Sequence, residues 1–388
     1  KDVLRAAGIE KAKIIAVCTH KIETTNKIVE LVRSEYPHAK IFARSYDREH
    51  ALHLIGDDVD YQIRETFESA LAMGGALLRG LGYTDEDADH VVADVRKRAP
   101  SRPIEMIYTD LPRNDFSQVF QIVHGLTDTK SYLDEVPGVH VMASGTSFHE
   151  AIVPARTLDL GFSATASHYI VSNPCNISDH VHMVGSSGDE RAAYEEQGAK
   201  DWETMLLRRA EEMKPGARLC LFNFGIDEEG RYLGNTGGQN MFDTFAELWK
   251  ELVDNGTITA EEFANTNFPQ CYRTQAQFVT PLEDESSAVF KAGLRLEHVE
   301  SRVVRCPFEQ DFTENHKNAA RFAEEYIPTL RSWSEPTFVN GLSKQRTDVE
   351  RSEIIDSFYQ NYANRVAANP DGHAMDYVHI YLVCRKET

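Results

Sequence analysis

Residues 107–116, IYTDLPRNDF, join a short apolar segment to an acidic turn. The apolar residues 104–108 predict a buried β-strand, and Asp110 follows at its carboxyl end. In α/β proteins an acidic side chain near a strand end often binds the ribose of a nucleotide. By itself, Asp110 is better explained as a turn or N-cap residue ahead of Pro112. What surrounds the segment decides between these interpretations.

Residues 1–99 alternate between strand and helix patterns. The alternation predicts a parallel sheet with right-handed helical crossovers. The predicted strands cover residues 13–19, 40–46 and 59–65, and the predicted helices cover residues 22–37, 47–59 and 66–82. The next segment, 83–103, is rich in charge and ends in Pro-Ser-Arg-Pro, so we expect the domain boundary after residue 99.

From residue 104 the strand and helix rhythm starts again, and after Gly225 long helical patterns dominate. We predict strands at 104–109, 139–144, 158–163, 217–224, 295–305 and 376–386, and helices at 114–125, 190–213, 239–255, 259–265, 314–332 and 346–367. The expected fold class is α/β. An incomplete Rossmann-like parallel-sheet segment precedes a Rossmann-like domain, 100–388, whose mostly helical cap lies mainly at 226–345.

The composition limits the classes of partner. The chain has 388 residues, 41% of them hydrophobic, and a net charge of −20 that comes almost entirely from residues after 100. An acidic chain is a poor partner for nucleic acid or an anionic membrane surface, both of which select clustered Lys and Arg. The six cysteines include no CxxC pair, which favours reduced thiols in a cytoplasmic protein that binds small molecules.

The first hundred residues contain LRAAGIEKAKIIAVCTH at 4–20, KIFARSYDREHALHLIGDDVDYQIRETFESAL at 40–71 and LLRGLG at 77–82. Together they resemble the second half of a regulatory TrkA-N or RCK-like domain, the tail of bacterial glutathione-gated potassium-efflux antiporters. The resemblance implies a Rossmann-like fold, a homodimer, and the antiporter membrane domain as a partner if the segment belongs to a longer chain. The family's nucleotide-binding glycine loop would precede Lys1, so we expect a truncated or recombined N-terminus.

Four charged or titratable residues lie where that family has charged residues near its effector site, namely Arg44, Asp47, Arg48 and His50. A solvated strand end followed by a helix start is the simpler interpretation of the same four residues.

The rest of the chain contains DLPRNDF at 110–116, SGTSFHEAIVPARTLDLGFSATASHYI at 144–170, NFPQCYRTQAQF at 267–278 and RSWSEPTFVNGLS at 331–343. In order and spacing these segments resemble the SABATH family of S-adenosylmethionine-dependent methyltransferases, over nearly all of residues 104–386. That family methylates small carboxylic acids and sometimes ring nitrogens. The resemblance implies S-adenosylmethionine as the cofactor, a small carboxylic acid as the substrate and no metal.

The resemblance also implies roles for single residues near the cofactor. Asp110 accepts hydrogen bonds from the ribose hydroxyls, and Leu111 packs on the adenine. Ser147 and Phe148 lie against the adenine and its amino group.

The acceptor pocket is implied at His168 and Tyr169. A tryptophan usually follows the histidine in the plant pattern, but Tyr169 stands there. Thr165 occupies a position that is aromatic in the plant pattern. Trp333 either closes the pocket or packs in the cap. No acid–base dyad is expected, because a carboxylate is already ionised at neutral pH and needs only to be oriented toward the methyl group.

Other patterns leave alternatives open. His180 and His182 have strand spacing but no supporting ligand, so a metal is the weaker explanation. The segment GNTGGQN at 234–240 lacks the lysine of a phosphate loop and predicts a flexible turn.

The SABATH-like part lacks the family's first strand and its Asp-x-Gly-x-x-x-Gly loop. Three hypotheses follow: a carboxyl methyltransferase with a partial regulatory domain, a ligand-sensing regulatory module with a passenger, or a non-functional junction of two gene fragments. The first predicts that something from residues 66–100 lies beside strand 104–109 in place of the missing strand.

Overall fold

The computed structural model describes residues 9, 12, 14–17, 22–45, 50, 53–54, 57, 59–64, 78, 83–98, 104–134, 136 and 138–387. The chain divides into two compact units, Lys1–Gly145 and Thr146–Thr388. The domain boundary predicted after residue 99 lies within the first unit. The predicted helix 66–82 and most of the predicted helix 47–59 lie outside the described residues.

The first unit contains a three-stranded parallel sheet in the order β1 (Ile14–Val17), β2 (Lys40–Ser45) and β3 (Tyr61–Arg64). Helix α1 (Ile22–Glu35) is the crossover between β1 and β2, and it ends two residues before Pro37, which cannot continue a helix. The three predicted strands, their parallel direction and this helix are confirmed.

Helix α2 (Asp85–Arg98) occupies most of the charged segment 83–103, for which the sequence analysis predicted no helix. The hydroxyl of Thr84 accepts a hydrogen bond from the backbone N–H of Asp87 at 3.1 Å, and three acids lie in the first turn. Both features stabilise a helix N-terminus. The helix was missed because most of its side chains are exposed and polar, which leaves a weak apolar period.

Two parallel strands complete the described part of the first unit: β4 (Ile104–Asp110) and β5 (Val139–Gly145), with helix α3 (Phe116–Val123) between them. Within the described residues β5 is the ladder partner of β4, and the described part of segment 66–100 is helical except for a few residues before α2. The replacement strand expected beside β4 is therefore not found in that part of the chain.

The second unit has a mixed sheet in the order β6 (Leu158–Ala164), β7 (Met213–Ile226), β10 (Tyr377–Lys386) and β9 (Leu294–Val304). Strands β6 and β7 are parallel, whereas β10 runs antiparallel to both of its neighbours. The two-residue strand β8 (Arg273–Thr274) pairs with the end of β7. The sheet of the second unit is therefore mixed, because β10 lies antiparallel between β7 and β9.

One face of this sheet is covered by α4 (Gly188–Glu212) and α7 (Gln275–Glu283). Trp202 and Leu206 of α4 and Phe278 of α7 are buried with Leu219 of β7 and Ile380 of β10. The apolar spacing of α4 predicted its position, but α7 and the short α8 (Ala288–Lys291) were not predicted.

A helical layer adjoins the strand ends that carry the candidate site. It contains α5 (Met241–Asp254), α6 (Ala260–Asn265), α9 (Pro307–Asp311), α10 (Ala319–Gly341) and α11 (Asp348–Ala368). Its core is largely aromatic, with the Trp249 ring 4.9 Å from Phe338 and 5.1 Å from Phe358. The predicted helix 314–332 begins five residues later and continues to Gly341, since a π-helical segment (Phe312–His316) precedes it.

Candidate active site

The candidate site of the second unit begins where β6 ends. Thr165 has a φ of 53°, and its backbone N–H donates to the Phe222 carbonyl of β7 at 2.7 Å. A β-branched residue with positive φ is strained, and such strain persists only when neighbouring contacts hold it. The turn at Thr165 directs the following residues, including His168 and Tyr169, toward the end of β7.

His168 is buried among aromatic rings. Its ring centroid lies 4.3 Å from Tyr169, 5.0 Å from Phe224 and 5.8 Å from Tyr272. The side chain is 3% exposed, and Nδ1 has no hydrogen-bond partner among the described residues. Burial, reinforced by the positive charge of Arg273, lowers the pKa of His168 to about 3. The imidazole is therefore neutral at physiological pH.

Arg273, in β8, fixes the backbone beside His168. Its Nη1 donates to the Ser167 carbonyl at 2.9 Å, and its Nε donates to the Gly198 carbonyl of α4 at 3.1 Å. The guanidinium is 3% exposed and lies over the rings of Trp202 and Phe278. Burial lowers its pKa, but an arginine stays charged, so this cation holds the segment 165–170 in place.

Gln270 connects the remaining polar groups of the site. Its Oε1 lies 3.2 Å from Nε2 of His182 and accepts from the Tyr272 hydroxyl at 3.4 Å. Residues Tyr169 and Gln270 also form an antiparallel backbone bridge. Burial raises the pKa of Tyr169, and a hydrogen bond with Gln270 partly offsets this effect. Tyr169 is 37% exposed, so its phenol is accessible as a neutral donor.

Trp333, in α10, belongs to the aromatic layer next to these residues. Its ring centroid lies 5.7 Å from Phe268, 6.1 Å from Phe245 and 6.2 Å from Phe242. Phe242 in turn stacks on His182 at 3.9 Å. Trp333 is half-buried, and these rings are its contacts in the cap.

Ser147 and Phe148 lie in the loop that follows β5. The Ser147 hydroxyl accepts from the backbone N–H of His149 at 3.3 Å, and the Phe148 ring lies 4.2 Å from the His149 ring. Phe148 is half-buried against the core beneath α4 and α7. Burial lowers the pKa of His149, which leaves a neutral ring beside both residues.

Asp110 and Leu111 lie in the first unit, at the end of β4. Asp110 is exposed, and its Oδ1 accepts from the backbone N–H of Leu111 at 2.6 Å. Its partner in the ladder is Gly145 of β5. The cap of α3 is Asp115, which accepts from the Ser117 N–H at 3.0 Å, so Asp110 is a strand-end turn residue and not a helix cap. Leu111 is 42% exposed.

The two histidines considered as metal ligands have structural partners instead. Nδ1 of His180 accepts from the His182 N–H at 3.0 Å, and its Nε2 lies 3.2 Å from Asp243. Nδ1 of His182 accepts from the Val184 N–H at 3.2 Å. Within the described ranges no three His, Cys, Asp or Glu side chains group as a metal site.

The segment Gly234 to Asn240 is held in place by hydrogen bonds. The Gly234 N–H donates to the Asp376 carbonyl at 3.2 Å, and Asn240 caps α5 by accepting from the Phe242 N–H at 3.0 Å. The prediction of a flexible turn therefore missed the contacts that fix it.

In the first unit, His50 is 4% exposed, and its Nε2 lies 2.9 Å from Oδ1 of Asn26. The interpretation of His50 as a solvated position is wrong, because its side chain is buried and contacts Asn26 of α1. Asp47, Arg48 and the side chain of Arg44 lie outside the described residues.

The cysteines that the structure describes with side chains are free thiols, three of them buried and two half-buried: Cys271, Cys306 and Cys384, and Cys175 and Cys220. Among the described helices, none has the length and apolar character that crossing a membrane requires.

Comparison with known proteins identifies the class. Residues 88–387 match the family described as SAM dependent carboxyl methyltransferase, and the chain belongs to that family. Residues 1–65 match the TrkA-N domain. S-adenosylmethionine is the methyl donor that the family description specifies.

Individual relatives match each part. An indole-3-acetate O-methyltransferase of Arabidopsis thaliana is 27% identical over 204 residues, 47% of this chain and 52% of the relative. A glutathione-regulated potassium-efflux system protein of Haemophilus influenzae is 42% identical over 95 residues, 24% of this chain and 15% of the relative. The chain thus spans about half the length of the curated methyltransferase and a small part of the efflux protein.

A solved loganic acid methyltransferase with SAH has the same fold, with a TM-score of 0.57 at 14% identity over 95% of this chain and 93% of the other. These comparisons confirm the α/β fold class and both suspected families. They do not test the predicted site residues, which stay predictions.

Sequence reasoning missed Gln270, Tyr272 and Arg273, although it singled out the segment NFPQCYRTQAQF that contains them. Nothing in their spacing shows that they meet residues 165–170, about a hundred positions earlier. The signal available was the density of polar and aromatic side chains in one short segment.

Proposed function

We propose that the chain transfers a methyl group from S-adenosylmethionine to the carboxylate of a small organic acid. The family match supports the class of reaction, and the surroundings of His168 support the acceptor site. The proposal includes two domains, residues 1–99 and residues 100–388, with the cap of the second mainly at 226–345. The family matches at 1–65 and 88–387 support this division.

The observation that carries the proposal is the buried, neutral His168 with an unpartnered Nδ1. Buried polar atoms in folded proteins almost always have a partner, which can be a ligand or a water molecule. The rings of Tyr169, Phe224 and Tyr272 around His168 favour a small acid whose body is apolar. Tyr169 donates from its accessible phenol to the acceptor carboxylate.

The residues do not need to move a proton from the substrate. A carboxylic acid with a pKa near ~4 is ionised at neutral pH, and its oxygen is already nucleophilic. The neutral site residues bind the carboxylate, hold it in line at roughly 3 Å and exclude water, which is an effect of orientation. Thr165 and Trp333 shape the pocket at its strand end and in its helical layer.

For the adenosine half of the cofactor, the proposal keeps the residues that the sequence singled out. Asp110 is an exposed strand-end carboxylate whose oxygens can accept from ribose hydroxyls, and the exposed Leu111 offers an apolar surface to the adenine. Ser147 and Phe148 contribute a hydroxyl and an aromatic edge. When bound, S-adenosylmethionine supplies a methyl group on a sulfonium sulfur, which a carboxylate oxygen can attack.

Calorimetry of the full chain with S-adenosylhomocysteine tests the proposal. We expect a dissociation constant in the micromolar range, on the order of 8 kcal/mol of binding free energy. Asp110→Ala is expected to abolish the binding, and Asp128→Ala, an exposed acid in the same unit, is expected to leave it unchanged. No heat with the unmodified chain, or equal binding by both variants, contradicts the proposal.

A second function is favoured by the TrkA-N match and by the parallel sheet β1–β2–β3. Residues 1–99 would act as a ligand-sensing regulatory module of a potassium-efflux system, with a homodimer as its assembly and an antiporter membrane domain as its partner. Binding of a nucleotide or a glutathione adduct, without binding of S-adenosylhomocysteine, supports this function. Binding of neither ligand supports the remaining hypothesis, a non-functional fusion of two gene fragments.

A further inference from the structure

A buried ion pair lies at the end of α4. Nε of Arg209 donates to Oε2 of Glu212 at 2.7 Å, and the two side chains are only 6% and 2% exposed. Two ionised groups are costly to remove from water unless every donor and acceptor is satisfied. The hydrogen-bond partners of Arg209 and Glu212 therefore indicate the role of the pair.

The partners are backbone groups of one loop. Nη1 of Arg209 donates to the Phe148 carbonyl at 2.9 Å, and its Nη2 donates to the Glu150 carbonyl at 2.7 Å. Oε1 of Glu212 accepts from the Ile152 N–H at 2.7 Å and from the Val153 N–H at 3.4 Å. The pair therefore binds four backbone groups within six residues.

The loop has little structure of its own. Residues 146–157 contain neither helix nor strand, so their backbone polar groups need partners elsewhere. Two further backbone bonds join the loop to α4, from the Arg156 N–H to the Glu211 carbonyl at 3.1 Å and from the Thr157 N–H to the Glu212 carbonyl at 2.9 Å. The end of α4 is thus a rigid support along the loop.

We propose that Arg209 and Glu212 are positioning residues for the cofactor: they fix the backbone of Phe148, and with it the adenine contacts of Ser147 and Phe148. This inference rests on the proposed function. The pair acts through the loop, so its loss weakens cofactor binding more than it affects the acceptor or the methyl transfer step.

The planar fork of arginine is essential to this role. It spans two carbonyls and a carboxylate at once, which the single ammonium of lysine cannot do. Arg209→Lys keeps the charge but loses the simultaneous contacts with Phe148 and Glu150. Glu212→Gln keeps an oxygen that can accept from Ile152, but it leaves the buried guanidinium of Arg209 without its anionic partner.

The neighbouring turn of α4 provides matched controls. Arg208 and Glu211 form an ion pair of the same type and spacing at 3.3 Å, but their side chains are 41% and 61% exposed. Exposed pairs contribute little. Arg208→Lys and Glu211→Gln therefore make the same chemical changes without reaching the loop through their side chains.

Calorimetry on the full chain measures the dissociation constants of S-adenosylhomocysteine and of adenosine. The melting temperature of each variant is measured as well. Rate assays at saturating cofactor give the kcat and the KM of the acceptor. For Arg209→Lys we expect both dissociation constants to rise about tenfold, equivalent to about 1.4 kcal/mol, and kcat and the acceptor KM to change less than about twofold. Glu212→Gln is expected to raise both dissociation constants as well. The controls are expected to match the unmodified chain.

Three results overturn the inference. Unchanged affinity in folded Arg209→Lys and Glu212→Gln shows that the pair does not position the loop for the cofactor. A parallel loss of cofactor affinity, acceptor KM and melting temperature shows a general structural role. If the unmodified chain does not bind S-adenosylhomocysteine, the proposed function and this inference are both wrong. In the other two results the unmodified chain binds, so they contradict this inference alone.

Discussion

The neutral, buried state of His168 gives a quantitative prediction about stability and pH. In the unfolded chain a histidine has a pKa near ~6.5, whereas burial lowers the pKa of His168 to about 3 in the folded chain. Between these two values the unfolded chain binds a proton that the folded chain rejects. The contribution of His168 to the free energy of unfolding is therefore fully present above about pH 6.5 and is lost as the pH falls toward the folded pKa.

The magnitude follows from linkage. A single group of this kind changes the free energy of unfolding by about 1.4 kcal/mol per pH unit, so acidification from about pH 6.5 to about pH 5 costs about 2 kcal/mol. His168→Asn removes the titrating group and keeps a polar side chain. We expect the curve of unfolding free energy against pH to become shallower by this slope. His379, whose pKa burial lowers to about 4, keeps its own contribution in the variant.

The assay is urea unfolding at several pH values in this window, with the free energy extrapolated linearly to zero denaturant. Tyr169→Phe is the control in the same pocket, because burial raises the pKa of Tyr169 and the phenol stays neutral throughout. It is expected to shift the curve by a constant amount. A His168→Asn curve parallel to that of the unmodified chain would refute the conclusion that His168 is held neutral by burial.

Four further outcomes are expected. Glu262→Gln removes the carboxylate whose pKa the hydrogen bonds from Arg346 lower to about 2, so the free energy of unfolding at neutral pH falls by at most about 3 kcal/mol. In urea titrations this difference is fully present above about pH 4.5 and disappears as the pH falls toward 2; a constant difference contradicts the assignment. Tyr169→Phe raises the acceptor KM about tenfold in initial-rate assays, since it loses one donor to the carboxylate, and an unchanged KM argues against that contact. The pH–rate profile of kcat is flat from about pH 6 to 8, because the acceptor is ionised and no histidine acts as a base; an apparent pKa near ~6.5 contradicts this. Thr165→Asn raises the free energy of unfolding by about 1 kcal/mol, because asparagine tolerates the positive φ better, and thermal unfolding with no gain shows that the strain is not there.

The positions of the strands in the first unit could be predicted closely because strand and helix patterns alternate there, and this alternation is local. The burial predicted for strand 104–108 is wrong, since none of the side chains of β4 is buried. Helix α2 was missed for the opposite reason, since its exposed face and its acidic first turn gave no apolar stripe. Helix α7 was missed because Pro281 lies inside it, and a proline normally argues against a helix interior.

In the candidate site, too, only the features that have a local sequence pattern could be predicted. Asp110, Ser147, His168 and the other site residues could be predicted because short segments resemble a family, and a resemblance of segments needs no tertiary information. The partners of those residues could not be found in this way. Gln270 meets His182 from 88 positions away, and Arg273 meets Ser167 from 106 positions away. Contacts of this range depend on how the strands and helices pack.

The sequence by itself determined the α/β class and the two family resemblances, and it predicted the residues for the cofactor and the acceptor, because each of these depends on a local pattern or a short motif. Only the tertiary structure decided that His168 is neutral, that Trp333 packs in an aromatic layer, and that Arg209 and Glu212 bind the loop carrying Phe148. All three properties result from burial. A side chain is removed from water only when distant parts of the chain pack around it, and it then becomes neutral or takes its hydrogen-bond partners from the protein.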